Sequence, residues 1–191
     1  NIAIPPKKRG QIPAVLIPNP FYQVYIGAAI MNRAEPIYLS ATQENGFLPD
    51  FSSLDESTLN RTALAFLCTP SNPQGAIADL NYLKKAILLA RKYDFVLAID
   101  ECYAEIYDQT APAGGLEACQ ALNGDYKNLL VFHSLSKRSN APGLRSGFVA
   151  GDPSLINKFK VLRNYGGAPI PTPLLAASAA LWRDEVHVLK N

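Results

Sequence analysis

The sequence is poor in the residues that several kinds of functional site require. Among its 191 residues are two histidines, His133 and His187, so a site built from many histidine ligands is excluded. The three cysteines, Cys68, Cys102 and Cys119, are odd in number and lack the paired spacing of a metal site. We therefore expect reduced structural thiols and no bound metal.

A strong excess of one charge and long apolar runs are also missing. The net charge is +2, an excess of basic residues too small to indicate a nucleic-acid partner. The one compact basic run, residues 7–9, lies beside two prolines, and we expect it to be solvated. No stretch approaches the roughly 20 apolar residues of a membrane-spanning helix, and the N-terminus lacks the pattern of a signal peptide. We therefore expect a soluble, cytoplasmic protein without a membrane partner.

Short apolar segments alternate with amphipathic ones along the chain. Strands are predicted at residues 14–18, 36–40, 62–69, 95–100, 128–134 and 147–152. Helices are predicted at residues 21–33, within 48–59, at 77–94, from 153 to 166 and from 172 to the end. Several strands are apolar on both faces, which is typical of a parallel sheet covered on both sides. The pattern predicts an α/β fold with a mostly parallel sheet and helices on both faces, an α/β/α sandwich.

Polar residues gather where these strands end, which is where ligands bind in such sheets. Asn72 follows one strand, Asp100 ends the next, and Ser134 to Lys137 follow the third. A carboxylate such as Asp100 at the end of a buried strand needs a cationic or hydrogen-bonding partner, or else it caps the following helix. Tyr103 would lie near it on the first turn of that helix, as a ligand or as a core aromatic. Asn72 either contacts a ligand or makes a turn ahead of Pro73.

The segment SLSKRSNAPGLRSG, residues 134–147, is either a solvated basic loop or a site. A partly desolvated lysine such as Lys137 becomes a nucleophilic amine. Arg145 offers a planar fork, and Ser134 and Ser136 offer hydroxyls, to a phosphate or a carboxylate. A lysine for an aldehyde, a carboxylate for a ring nitrogen and a group of phosphate-binding residues together match pyridoxal phosphate.

Four signatures, NPFY, TPSNPQG, AIDECYAEIY and SLSKRSNAPGLRSG, follow one another in this order. The chain thereby resembles the class I and II aminotransferases of the fold-type I pyridoxal-phosphate enzymes, from about residue 14 to its end. The resemblance implies pyridoxal 5'-phosphate as cofactor and Lys137 as the catalytic residue, which binds the cofactor covalently and shuttles the substrate proton. It also implies that the cofactor is bound by Tyr22, Asn72, Asp100, Tyr103, Ser134, Ser136 and Arg145.

The same resemblance implies a separate role for each of these residues. Asp100 would hold the ring nitrogen protonated, and Asn72 and Tyr103 would hydrogen-bond the ring hydroxyl oxygen. Ser134, Ser136 and Arg145 would surround the phosphate, with Arg138 nearby as a local support, and Tyr22 would stack on the ring face.

Two family features are absent, the upstream glycine turn that completes the phosphate site and the arginine that binds the substrate carboxylate. The chain also begins with Asn1, and its last residues, VLKN, still follow a helical pattern. We therefore expect residues 1–191 to be an incomplete large domain, a fragment of a longer protein that forms a homodimer. Tyr165 and its helix either meet the dimer partner or pack in the core.

The resemblance implies an aminotransferase that moves an amino group between an amino acid and a 2-oxo acid. The sequences of the four signatures are most similar to those of bacterial succinyldiaminopimelate aminotransferases of lysine biosynthesis, which implies glutamate as the amino donor. A carbon–sulfur lyase or synthase on the same fold shares every residue named, and a non-catalytic cofactor-binding module is a third alternative. This chain alone is expected to lack part of what turnover needs.

Overall fold

A computed structural model describes residues 2–167 and 170–190. The strands are β1 (Ala14–Asn19), β2 (Glu35–Ser40), β3 (Thr62–Cys68), β4 (Val96–Asp100), β5 (Leu129–Ser134) and β6 (Gly147–Gly151). The α-helices are α1 (Val24–Met31), α2 (Glu56–Arg61), α3 (Leu80–Tyr93), α4 (Gly115–Gln120), α5 (Leu135–Arg138), α6 (Pro153–Tyr165) and α7 (Thr172–Arg183). Short 3-10 helices cover Gln43–Asn45, Phe51–Ser53, Pro142–Leu144 and Val188–Lys190.

The six strands form one sheet in the order β2-β1-β3-β4-β5-β6. Strands β1 to β5 are parallel to their neighbours, and only β6 runs antiparallel, at the edge beside β5. At Gly151 a side chain is impossible, because a Cβ atom would lie 2.1 Å from the Leu129 carbonyl oxygen and φ is +136°. The predicted mostly parallel sheet is confirmed.

The sheet is covered on both faces, as its apolar strands require. One core cluster contains Leu67, Leu97 and Ile99 of the sheet together with Leu83 and Ile87 of α3. The opposite cluster packs the other face of the same strands against α1 and α6. Alternate residues of each strand point to opposite faces, so the central strands are apolar throughout. The prediction of helices on both faces is confirmed.

Several element boundaries differ from the sequence-based expectation. Helix α1 begins at Val24 rather than at residue 21, and Phe21, which precedes it, stacks on Tyr38 with 5.5 Å between ring centroids. Residues 101–108 form turns and no helix, so Tyr103 does not lie on a helical first turn. Residues 115–120, where the sequence analysis predicts no helix, form α4, whose first residue, Gly115, donates its N–H to the buried Glu101 carboxylate.

The last predicted helix is also shorter than expected, since α7 ends at Arg183. Asp184 leaves the helical conformation, and its carboxylate accepts hydrogen bonds from the backbone N–H groups of Val186 and His187. A side chain that bonds its own following backbone in this way competes with helix continuation. Tyr165 at the end of α6 is 87% exposed, so the core-packing alternative for this residue is wrong.

The basic run at residues 7–9 is not simply solvated. The Lys8 ammonium group donates to the carbonyl oxygens of Tyr93 and Asp94, at 3.0 and 2.6 Å, and also to that of Thr62. Tyr93 ends α3, where unpaired carbonyls and the helix dipole favour a cation. Lys8 therefore fastens the N-terminal segment to the C-terminal end of α3.

Asp152 generates a prediction about stability, because it joins α6 to β5. Its buried carboxylate accepts hydrogen bonds from the N–H groups of Ser154 and Leu155 in α6 and of Asn128 before β5. Removing these bonds in Asp152→Ala should lower the free energy of unfolding by about 2 kcal/mol. Asp79→Ala, which removes the exposed cap of α3, is the control and should cost about 1 kcal/mol.

The Asp152 contribution should also depend on pH. Burial acts to raise the pKa of this carboxyl group, but the bonds from Asn128, Ser154 and Leu155 outweigh it and lower the pKa below its ordinary 3.8. The stabilisation is therefore present above that value and is lost as the pH falls through the lower, folded pKa. Urea unfolding of the wild-type protein and of Asp152→Ala, at neutral pH and near pH 3, measures the difference in their free energies of unfolding. An equal difference at both pH values would contradict the lowered pKa of Asp152.

Candidate active site

The candidate site lies at the carboxyl ends of three neighbouring strands. Cys68 of β3 pairs with Asp100 of β4, and Asp100 pairs with Phe132 of β5, two residues before Ser134. The polar side chains that follow these strands are thereby brought to one edge of the sheet, as the sequence predicts for a parallel arrangement.

Asp100 is held by two hydrogen bonds from different elements. The Tyr25 hydroxyl group donates to Oδ2 at 2.7 Å, and the Cys102 backbone N–H donates to Oδ1 at 3.1 Å. The second bond stabilises a turn, so the alternative in which Asp100 caps a following helix is wrong. Asp100 has the hydrogen-bonding partner that a carboxylate at a buried strand end needs.

Tyr25 was not among the residues predicted from sequence. It is buried on α1 and stacks on Phe66 of β3, with ring centroids 4.5 Å apart and an interplanar angle of 10°. Burial, and then the neighbouring negative charge of Asp100, raise the pKa of Tyr25 well above its ordinary value. Its position one helical turn after Tyr22 is the one sequence signal that could have indicated it.

A second group joins the loops after β3, β4 and β5. The Asn72 side-chain amide donates to the Tyr103 hydroxyl oxygen at 3.3 Å, and the Lys137 ammonium group lies 5.7 Å from the centroid of the Tyr103 ring. Lys137 is exposed and, in residues 2–167 and 170–190, forms no ion pair. Its amine is therefore available to a ligand.

Asp100 and Lys137 both affect the pKa of the Cys102 thiol, in opposite directions. Burial and the Asp100 carboxylate raise the pKa of the Cys102 thiol, whereas Lys137 acts to lower it. Burial and Asp100 likewise raise the pKa of the Cys68 thiol, to about 11. Both thiols are free, as is Cys119, and both remain protonated near neutral pH.

The residues predicted to bind phosphate are only partly brought together. The Ser134 hydroxyl oxygen accepts a bond from the Ser136 N–H at 3.1 Å and lies 2.9 Å from the Ser136 hydroxyl oxygen. Arg145 is exposed, and its guanidinium group donates to the Pro142 carbonyl oxygen at 2.8 Å. In the part of the chain that the structure describes, no hydrogen bond connects Arg145 with either serine.

Tyr22 lies at the margin of the site. Its ring is about half exposed and meets the Tyr25 ring edge-on, with the centroids 5.9 Å apart. Through Tyr25 it is connected to Asp100, so the aromatic pair and the carboxylate form one continuous side of the site.

No helix in residues 2–167 and 170–190 is long and apolar enough to cross a membrane. No group of three or more histidine, cysteine or acidic side chains is placed to bind a metal ion within the same residues.

Comparison with known proteins gives a consistent result. The profile of the family described as aminotransferase class I and II matches residues 10–190. An LL-diaminopimelate aminotransferase of Dehalococcoides mccartyi is 34% identical over 168 residues, which are 87% of this chain and 42% of that protein.

Two solved structures share the fold. An aminotransferase from Neisseria meningitidis superimposes with a TM-score of 0.91 and 44% identity, over 98% of this chain and 47% of that one. A structure described as a "probable N-succinyldiaminopimelate aminotransferase" from Thermus thermophilus has a TM-score of 0.82 and 25% identity, over 93% of this chain and 48% of that one. The chain spans less than half the length of these relatives.

The Tyr25–Asp100 contact predicts a loss of stability at alkaline pH. The unfolded chain releases the Tyr25 proton near pH 10.0, whereas the folded chain keeps it to higher pH. The resulting stabilisation is fully present below about pH 10 and is lost as the pH rises further. Tyr25→Phe should lower the free energy of unfolding by about 1–2 kcal/mol at pH 7, because a hydrogen bond to a carboxylate is removed.

This difference between the wild-type protein and Tyr25→Phe should shrink between about pH 10 and 12. Urea unfolding monitored by circular dichroism measures it. The exposed Tyr165→Phe serves as control and should leave stability unchanged at both ends of the range. An undiminished difference at alkaline pH would contradict the raised pKa of Tyr25.

Proposed function

Because the chain belongs to the class I and II aminotransferase family, we propose that it forms the cofactor-binding part of the large domain of a pyridoxal-phosphate-dependent aminotransferase. The full-length enzyme would move an amino group from an amino acid to a 2-oxo acid. The observation that carries the proposal is the exposed amine of Lys137 beside the Tyr103 ring, which the Asn72 amide contacts, at the sheet edge where the Asp100 carboxylate ends β4.

The donor groups of this site fit the cofactor of the family. Class I and II aminotransferases depend on pyridoxal 5'-phosphate. When bound, it supplies an aldehyde that links covalently to an amine and a ring that takes up electrons from the substrate α-carbon. The site offers one amine, one hydrogen-bonded carboxylate, an amide–phenol pair and two adjacent hydroxyls, which is the set that these chemical groups need.

Each residue then has a role of its own. When the cofactor is bound, Lys137 would hold it through its aldehyde and, once the substrate amine has taken its place, would accept the proton that leaves the substrate α-carbon. Asp100 keeps a proton on the ring nitrogen, and Tyr25 and the Cys102 N–H hold its carboxylate in place for this task. The fixed hydrogen bonds cost no reorganisation during the reaction.

The remaining residues bind and orient the cofactor. Asn72 and Tyr103 donate to the ring hydroxyl oxygen, and Tyr22 covers one ring face. Ser134 and Ser136 bind the phosphate group, for which their adjacent hydroxyls are suited. Arg145 joins them there in this proposal, by exchanging its contact with the Pro142 carbonyl oxygen for the phosphate.

For the substrates we propose glutamate as the amino donor and N-succinyl-2-amino-6-oxopimelate as the acceptor, which becomes N-succinyldiaminopimelate, as in lysine biosynthesis. The sequences of the four signatures support this choice. So do the names of two relatives, which refer to diaminopimelate or to its succinyl derivative. The arginine that binds the substrate α-carboxylate would lie outside residues 1–191.

We also propose that the full-length enzyme is a cytoplasmic homodimer, and that part of its interface lies on α6 and α7. Three large apolar side chains of these helices, Val161, Tyr165 and Leu175, are each about half or more exposed. A second copy that covers them would remove this apolar surface from water.

The cofactor assignment predicts which lysine is labelled. We expect the full-length enzyme to develop a visible absorbance band with pyridoxal phosphate, and borohydride reduction followed by peptide mapping to find the label on Lys137. Lys137→Ala should lose the label and activity, whereas Lys84→Ala on α3 should keep both. An unlabelled Lys137 in a protein with a native circular dichroism spectrum would refute the assignment.

The substrate assignment predicts a specific product. Full-length enzyme with N-succinyl-2-amino-6-oxopimelate and glutamate should form 2-oxoglutarate. Transfer of an amino group from LL-diaminopimelate to 2-oxoglutarate should be slower, because LL-diaminopimelate lacks the succinyl group of the proposed substrate. Faster turnover of LL-diaminopimelate, or activity confined to aromatic amino acids or aspartate, would overturn the substrate but keep the reaction. Release of pyruvate from cystathionine would instead favour the lyase alternative.

A further inference from the structure

The turn that carries Lys137 is too short to be stable on its own. Helix α5 consists of four residues, Leu135–Arg138, and one turn of helix does not form in isolation because its nucleation is unfavourable. The Lys137 side chain contributes little to the stability of this turn, because it is exposed and contacts the Tyr103 ring, which lies outside the turn. The orientation of Lys137 must therefore be fixed by its neighbours.

Two residues of α5 point away from the site and are buried. Leu135 is completely buried, and Arg138, three residues later on the same helical face, is 6% exposed. The Arg138 guanidinium group donates to the Leu181 carbonyl oxygen at 2.9 Å and to the Glu185 carboxylate at 2.8 Å. It also lies 5.2 Å from the Trp182 ring centroid. We call Arg138 with Leu181, Trp182 and Glu185 the Arg138 cluster.

The Arg138 cluster lies at the C-terminal end of α7. Leu181 is among the last four residues of that helix, whose carbonyl oxygens lack partners within the helix. A cation is favoured there by the helix dipole. The contact with Glu185 is weaker support, because that side chain is 72% exposed and water screens the pair.

A second connection leads from the cluster back to the strand before Lys137. Trp182 contacts Phe148 edge-on at 5.0 Å, and Phe148 stacks on His133 at 4.8 Å. The His133 imidazole is 2.9 Å from the buried Glu101 carboxylate. The end of β5 and the turn after it are therefore both connected to α7.

We propose that Arg138 is a positioning residue for the reaction: by capping the end of α7 it holds the α5 turn so that Lys137 faces Tyr103 and the cofactor. The proposal rests on the proposed function. It assigns to α7, more than 40 residues along the chain, a part in orienting Lys137.

Hydrogen exchange of the cofactor-free, full-length enzyme tests the local effect. Arg138→Ala should accelerate exchange of the amides of residues 135–141 at least about tenfold, while those of β4 keep their protection. Arg138→Lys, which keeps the charge but loses the planar fork, should be intermediate. Arg183→Ala, an exposed arginine of α7, is the matched control and should match the wild-type enzyme.

The loaded enzyme gives a second readout. Arg138→Ala should lower kcat by about 10²-fold with little change in KM, because a displaced amine slows the proton transfer and leaves substrate contacts intact. Its visible absorbance band at saturating cofactor should be weaker, and borohydride should label Lys137 less completely. Arg138→Lys should recover part of both signals.

Three outcomes separate the alternatives. Unchanged exchange at residues 135–141 in Arg138→Ala, or lost protection confined to α7, would show that Arg138 serves only the packing of α7. If Arg138→Ala failed to fold, Arg138→Lys would decide. Hydrogen exchange and kcat equal to those of the wild-type enzyme in Arg138→Lys would overturn the proposal. A wild-type enzyme that takes up no cofactor would refute the proposed function, while the exchange measurement would still decide whether Arg138 holds the turn.

Discussion

The hydrogen bond between Tyr25 and Asp100 is the interaction on which the site depends. A carboxylate at the end of a strand whose other residues are buried is costly unless it is paired. The Tyr25 hydroxyl group, 2.7 Å from Asp100, provides that pairing from α1, and the stacked Phe66 ring holds Tyr25 in place. The carboxylate can then remain at the mouth of the site, where a ring nitrogen would need it, while β4 stays in the centre of the sheet.

The sheet was predictable because burial on both faces leaves a strong pattern. Strands β3, β4 and β5 read as continuous apolar runs, and the polar residues after them had to meet at one edge. Helix ends were less predictable, since they depend on side-chain bonds that periodicity does not record. Asp184 ends α7 by bonding its own following backbone, and α4 depends on the Glu101 carboxylate, which accepts the Gly115 N–H.

Sequence reasoning predicted the residues of the site that follow strands and missed those that act across the fold. Asn72, Tyr103 and Lys137 come together because their strands are neighbours. Tyr25 was not predicted, and Arg138, expected as a local support near the phosphate, instead contacts α7; their partners are 75 and 43 residues away, and no local pattern indicates such contacts. The position of the Arg145 side chain also lay beyond prediction, because a long flexible side chain chooses among nearby acceptors, here the Pro142 carbonyl oxygen.

The two faces of the α5 turn follow from one physical requirement. A lysine that reacts with a ligand must be accessible, yet its amine must be held in one direction, and a flexible four-carbon side chain cannot do this alone. The turn solves this by burying Leu135 and Arg138 and exposing Lys137 beside the Tyr103 ring. Asp100 and Lys137 act in opposite directions on the pKa of the Cys102 thiol. In the function proposed above, a cationic ring nitrogen would pair with the Asp100 carboxylate, and an aldehyde would react with the amine of Lys137.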